Sequence, residues 1–223
     1  PFDCPKSTKI FQRGCASLAQ KMAANPEKGT PIERCYNALA LLASGNPDYL
    51  PLVRQQVESF STYSDLERRS LHSWWYGPIN ILMAEYVLAT GDRTFMPNLE
   101  RITMEIVNGQ SEVGSWGHRM VQSNGRLSGY GMMNAPGLPL TISMVLARKA
   151  GVENPELDEA IEKSARLMRF YVGKGSVPYG DHHPWIQTHD DNGKNDVFIR
   201  DRKKNKTRGS NSTGHSTNGT KRS

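Results

Sequence analysis

Four carboxylates stand in stretches without helical periodicity: Glu112 in GQSEVGSWGH, and Asp181, Asp190 and Asp191 in YGDHHPWIQTHDDNGKN. Hydrolysis of a glycosidic bond needs two carboxyl groups about 5 to 10 Å apart, one protonated to donate and one ionised. His118 adds a group that titrates near neutrality. The candidate catalytic residues are therefore Glu112, His118, Asp181, Asp190 and Asp191. Aromatic residues crowd the same region. Trp74, Trp75, Tyr76, Trp116, Tyr130, Tyr179 and Trp185 offer flat faces on which the CH-rich side of a sugar ring stacks. A lyase chemistry would use another set, with His118 or Tyr130 as base and Arg119 and Asn134 near a uronate carboxylate. His182 joins the expected substrate contacts.

Each of these features also has a plainer reading. Aromatic residues beside loops often cap a core, and Arg119 serves equally well to brace a loop. Asp181, His182, His183, His189, Asp190 and Asp191 are dense enough to suggest a metal. Their spacing matches no metal motif, and neighbours in an extended segment point apart, so backbone hydrogen bonding in turns accounts for them equally well. The glycines Gly125, Gly129, Gly131 and Gly137 follow no strand and form no phosphate-binding pattern. Neither metal nor cofactor is expected.

Helices must position these residues. Thr30-Pro31-Ile32-Glu33 is a capping box with Pro at the first helical position, and its helix stops at Gly45. A second helix from about Tyr49 shows Leu50, Val53, Val57 and Phe60 on one face. The unit recurs. Pro78 is expected to open INILMAEYVLAT, ending at Gly91, and Pro97 to begin a helix with Leu99, Ile102 and Ile106 on one face. Pro139 is expected to open LTISMVLARKA, ending at Gly151, and Pro155 the helix after it. Ile10, Phe11, Cys15, Leu18 and Met22 mark an earlier amphipathic helix.

The first helix of each pair is apolar nearly all round and the second carries one stripe. A helix greasy on all sides must be covered on all sides, so two layers are expected, first helices inside and second helices outside. Glu85 is the exception in the apolar run and is expected to be buried and structurally paired. Links within a pair are short and links between pairs are long. With alternating helix direction, all the long links leave at one pole. They hold the four tryptophans and five of the six histidines. Long ordered loops on a rigid scaffold are where binding concentrates.

Composition narrows the function classes. The net charge of +6 comes wholly from residues 196–223, where eight Lys/Arg face two Asp, so the body is neutral and nucleic-acid binding is not expected. No apolar run reaches the roughly 18 residues of a membrane-spanning helix. The three cysteines, Cys4, Cys15 and Cys35, form no CxxC. Cys15 and Cys35 fall on apolar faces and read as buried thiols, with a Cys4–Cys15 bridge as the alternative. Residues 196–223 lack periodicity and read as a basic, low-complexity disordered tail, with Asn-X-Ser/Thr triplets at Asn205, Asn211 and Asn218. The change falls where the next inner helix is due, so a truncated C-terminus is expected.

The run WWYGPINILMAEYVLATGD, the paired helices and GSWGH resemble the α/α-toroid superfamily. That group includes six-hairpin glycan-active enzymes and, more distantly, the terpenoid cyclase and protein prenyltransferase toroids. GQSEVGSWGH, GYGMMNAPG and YGDHHPW…HDDNGKN are most similar to an uncharacterised bacterial toroid family. The resemblance covers about residues 30–195 and implies an all-α fold of helical hairpins in a partial (α/α) toroid. It implies a carbohydrate-active protein, a glycan hydrolase or lyase-like enzyme or a glycan-binding protein, and favours a place outside the cytoplasm. A closed ring of this type uses about six hairpins, and this chain supplies about three over a domain of residues 1–195. Missing hairpins or a partner chain are expected to cover the open arc. The rival reading is a helical-repeat scaffold that binds protein partners without catalysis.

Overall fold

A computed structural model describes residues 4–64, 72–121, 132–173, 175 and 177–179. Among them the chain is all-helical, with Met133 as an isolated bridge residue. The α-helices are α1 (Pro5–Ala24), α2 (Pro31–Ala43), α3 (Leu50–Ser61), α4 (His72–Thr90), α5 (Met96–Asn108), α6 (Asn134–Ala150) and α7 (Pro155–Arg169), with a 3-10 turn at Pro47–Tyr49.

Local chemistry sets several ends. The Thr30 hydroxyl accepts from the Glu33 N–H at 3.3 Å, and the Glu33 carboxylate accepts from the Thr30 N–H at 2.7 Å, so the capping box forms. The Thr30 N–H, and then the Thr30 hydroxyl donating to the same carboxylate at 3.0 Å, hold the Glu33 carboxyl below its usual range. Asn154 caps α7 through the Glu156 N–H at 2.8 Å. Gly45, Gly91 and Gly151 all take positive φ just beyond α2, α4 and α6, the left-handed conformation that glycine reaches without a Cβ penalty.

The helices pack as sequential pairs, α2 with α3, α4 with α5 and α6 with α7. Each pair is antiparallel. Arg34 at the start of α2 donates to Gln56 and Ser59 near the end of α3. The Tyr76 hydroxyl, early in α4, donates to Glu105, late in α5. Arg148 at the end of α6 meets Asp158 at the start of α7 at 2.7 Å. Across pairs, α4 touches both α2 and α6, and α5 touches α7. Helices α4 and α6 run parallel, because Gly77 lies against Pro139 and Asn80 against Ser143. Helix α4 therefore stands between α2 and α6, and α2, α4 and α6 each pack against the helix that follows in the chain.

The inner contact is close and partly polar. A Cβ on Gly77 would stand 2.9 Å from the Pro139 Cβ, so α4 and α6 meet where a side chain is missing. Asn80, wholly buried, donates to the Ser143 hydroxyl at 3.2 Å and accepts from the Thr103 hydroxyl at 3.1 Å. That amide ties α4, α5 and α6 together in one register, and every partner it engages is itself buried.

Two expectations change. Helix α4 begins at His72 and α6 at Asn134, so Pro78 and Pro139 lie inside their helices. Trp74, Trp75, Tyr76 and Asn134 thus stand within the first two turns of their helices, not in links. Glu85 is half-buried, since the inner helix leaves that side partly open. The cysteines are free: Cys15 and Cys35 are buried, Cys4 is partly exposed, and no bridge joins Cys4 to Cys15. Burial pushes the Cys35 thiol up and leaves it inert. No helix among the described residues is long and apolar enough to cross a membrane. Residues 196–223, with the expected tail, lie outside the described residues.

Candidate functional site

Three distant segments meet beside the N-terminal ends of α4 and α6. Trp74 comes from the first turn of α4, His118 from the α5–α6 link and Tyr179 from the segment after α7. The Trp74 indole N–H donates to Nδ1 of His118 at 3.0 Å. The two rings stack with centroids 6.2 Å apart and planes 21° apart. Tyr179 lies against Trp74, with ring centroids 6.1 Å apart, and is 60% exposed. Trp74 and His118 are half-buried.

Backbone bonds hold the three segments together. The Ser73 N–H donates to the His118 carbonyl at 3.3 Å, tying the link to α4. The Asn134 and Ala135 N–H groups donate to the Tyr179 carbonyl at 3.0 and 3.3 Å, which satisfies amides left over at the start of α6. Asn134 also donates through its side chain to the Pro178 carbonyl at 2.8 Å and to the Tyr171 hydroxyl at 3.2 Å. Asn134 is therefore a buried brace that sets the position of Tyr179, not a group presented to a uronate. Tyr171 lies just past α7 and continues the stripe Leu157, Ala160, Ser164 and Leu167 at the helical step, so periodicity signals its burial although not its bond to Asn134. Burial, opposed by the Asn134 bond, raises its hydroxyl above the ordinary range.

His118 accepts through Nδ1, so its proton sits on Nε2 and the ring is neutral. Burial, and then the neighbouring Arg119 charge, hold it below its usual value of 6.5. A neutral imidazole can act as a base. Arg119 is exposed on the same link.

The GSWGH stretch splits between core and surface. Trp116 is wholly buried and donates its indole N–H to the Ile106 carbonyl at 3.0 Å. It plugs the core at the end of α5, so its expected role as a sugar platform is corrected: an apolar indole with one satisfied donor is more stable inside. Tyr76 is corrected likewise, being buried with its hydroxyl on Glu105. Trp75 is half-buried and packs against the core. Gly114 carries φ +84° and its missing Cβ would meet the Lys163 carbonyl at 2.4 Å, so the link presses directly on α7. The left-handed turn at Gly114 precedes the inward Trp116, and the chain is half-buried again at His118.

Glu112 is exposed and lines a different cleft, none of whose walls belongs to the ring cluster. It is thus set apart from His118 and from Trp74. Tyr130, Asp181, His182, His183, Trp185, His189, Asp190 and Asp191 lie outside the described residues.

The fold and the pole define an all-α protein of paired helices with aromatic and imidazole side chains gathered where the long links leave. A family model described as "Domain of unknown function (DUF6288)" matches residues 7–199, and the chain belongs to that family. No curated protein and no solved structure matches it.

Proposed function

We propose that this chain binds glycans at the pole formed by Trp74, His118 and Tyr179, on a toroid-type arc of three helical hairpins. The observation that supports it is the convergence of three segments on one aromatic group that stays open to solvent. An exposed phenol ring beside a half-exposed indole suits the apolar face of a sugar. The neutral His118 beside them supplies polar edges for hydroxyl groups. Glu112 stands elsewhere, so binding is favoured over hydrolysis. A catalytic pair would be drawn from Asp181, Asp190 and Asp191. Titration of the full chain with a panel of soluble glycans, followed by tryptophan emission, tests the proposal. Saturable binding lost in Trp74→Ala and Tyr179→Ala supports it, and the same panel assayed for released sugar tests turnover. A folded chain that binds no glycan sinks it.

A second reading rests on α6. Leu138, Ile142 and Val145 form an exposed apolar stripe along this last inner helix. On this view the chain is a scaffold and an amphipathic partner helix covers the stripe. Ile142→Lys would then abolish partner capture and leave glycan titrations unchanged.

A further inference from the structure

A cleft of about 290 Å³ lies between the C-terminal half of α7 and the α5–α6 link. Its floor is apolar: Val113 and Leu167 are buried, and Phe170 is half-exposed at the edge. Lys163, Arg166 and Arg169 follow each other at steps of three along α7, which places them on one side of the helix. Glu112 stands opposite on the link. Lys163 is paired with Glu159 at 2.9 Å. Arg166, Arg169 and Glu112 make no ion pair with any described residue. Two exposed guanidinium groups three residues apart repel each other weakly, and an anion shared between them relieves that repulsion.

The walls are fixed before any ligand arrives. Gly114 abuts the Lys163 backbone, and the Ser164 hydroxyl donates to the Gly114 carbonyl at 3.0 Å. The Gln110 amide donates to the Ala160 carbonyl at 3.0 Å and to the Ser164 hydroxyl at 2.8 Å. A preformed cleft loses little conformational entropy on binding.

We infer that this cleft binds a small ring-shaped organic carboxylate with a hydrogen-bond donor on its far side. The guanidinium forks match a carboxylate in geometry and charge. The Val113, Leu167 and Phe170 surface takes the ring. Glu112 accepts from the far donor and repels a second negative charge, which selects against compact dianions. The ring is aromatic or a sugar acid, since both share this chemistry. The inference does not depend on glycan binding at the Trp74 pole.

Calorimetric titration of the full chain with 4-hydroxybenzoate, glucuronate, benzoate and inorganic phosphate provides the test. Saturable binding of 4-hydroxybenzoate or glucuronate is expected at about 1 mM or below, with phosphate at least about tenfold weaker. Whichever of the two saturates identifies the ring. Arg166→Gln/Arg169→Gln should weaken binding by about tenfold or more, and Glu112→Gln should abolish the preference for 4-hydroxybenzoate over benzoate. Trp74→Ala should change neither. Should the double variant unfold, the single Arg166→Gln and Arg169→Gln variants carry the same comparison. The inference is overturned by an absence of saturation to about 10 mM, by equal affinity for phosphate, or by loss of binding in Trp74→Ala. It is also overturned if the arginine variants shift only the melting temperature, which is what compensation of the α7 C-terminal dipole alone would give.

Discussion

The indole N–H of Trp74 and Nδ1 of His118 lie 3.0 Å apart and join the first turn of α4 to a link 44 residues further along the chain. The bond requires a neutral imidazole. Protonation places a hydrogen on Nδ1, facing the indole hydrogen, and the bond is lost. His118 is held below 6.5 by burial and then by Arg119. Between that ordinary value and the lower folded one, the unfolded chain binds more protons. Its contribution to stability is thus complete above about pH 6.5 and falls as pH drops through the folded value. Tryptophan emission should change across this window, and the change should be absent in His118→Gln. An identical profile in the variant would rule out the coupling.

Trp116 and Trp74 should separate cleanly. Trp116→Ala empties a buried site and should cost about 3–5 kcal/mol in urea unfolding. Trp74→Ala removes a half-exposed ring and should cost much less, while abolishing glycan titration. Equal losses of stability in the two variants would contradict the division of GSWGH into a core plug and a surface group.

The contact between α4 and α6 depends on Gly77. Its Cβ would meet the Pro139 Cβ at 2.9 Å and the Pro139 carbonyl carbon at 3.1 Å, both on a stiff ring or backbone. Gly77→Ala should therefore destabilise the fold by about 1–3 kcal/mol. Gly77→Ala as stable as the parent would show that the two helices separate without loss.

At the opposite pole Asp92 accepts from the Thr94 hydroxyl, the Thr94 N–H and the Tyr86 hydroxyl, and pairs with Arg54. The Thr94 bonds, then Tyr86, lower its carboxyl from 3.8 to about 2. The unfolded chain therefore takes up this proton first as pH falls. The contribution is complete above about pH 4 and lost by about pH 2. Thermal unfolding of Asp92→Asn should show a weaker acid dependence across that interval, and an unchanged slope would remove Asp92 from the linkage.

The sequence determines the helical units of this protein by itself. The Thr30–Glu33 box, the prolines at Pro31 and Pro155, and the glycines Gly45, Gly91 and Gly151 act over three or four residues, and such signals need no tertiary partner. Periodicity likewise sets α4, buried nearly all round, apart from the striped α3, α5 and α7, but it does not set α2 apart, since α2 buries the single stripe Cys35, Ala38 and Leu41. It also marks GSWGH as a link. What becomes of Trp116 and His118, two residues apart, is decided by tertiary structure alone: one indole enters the end of the core and one imidazole meets an indole from α4. The starts of α4 and α6 upstream of Pro78 and Pro139 belong to the same class. A proline in mid-helix lacks an amide and strains the preceding turn. Pro139 packs against Gly77, a contact that exists only once the two helices stand side by side.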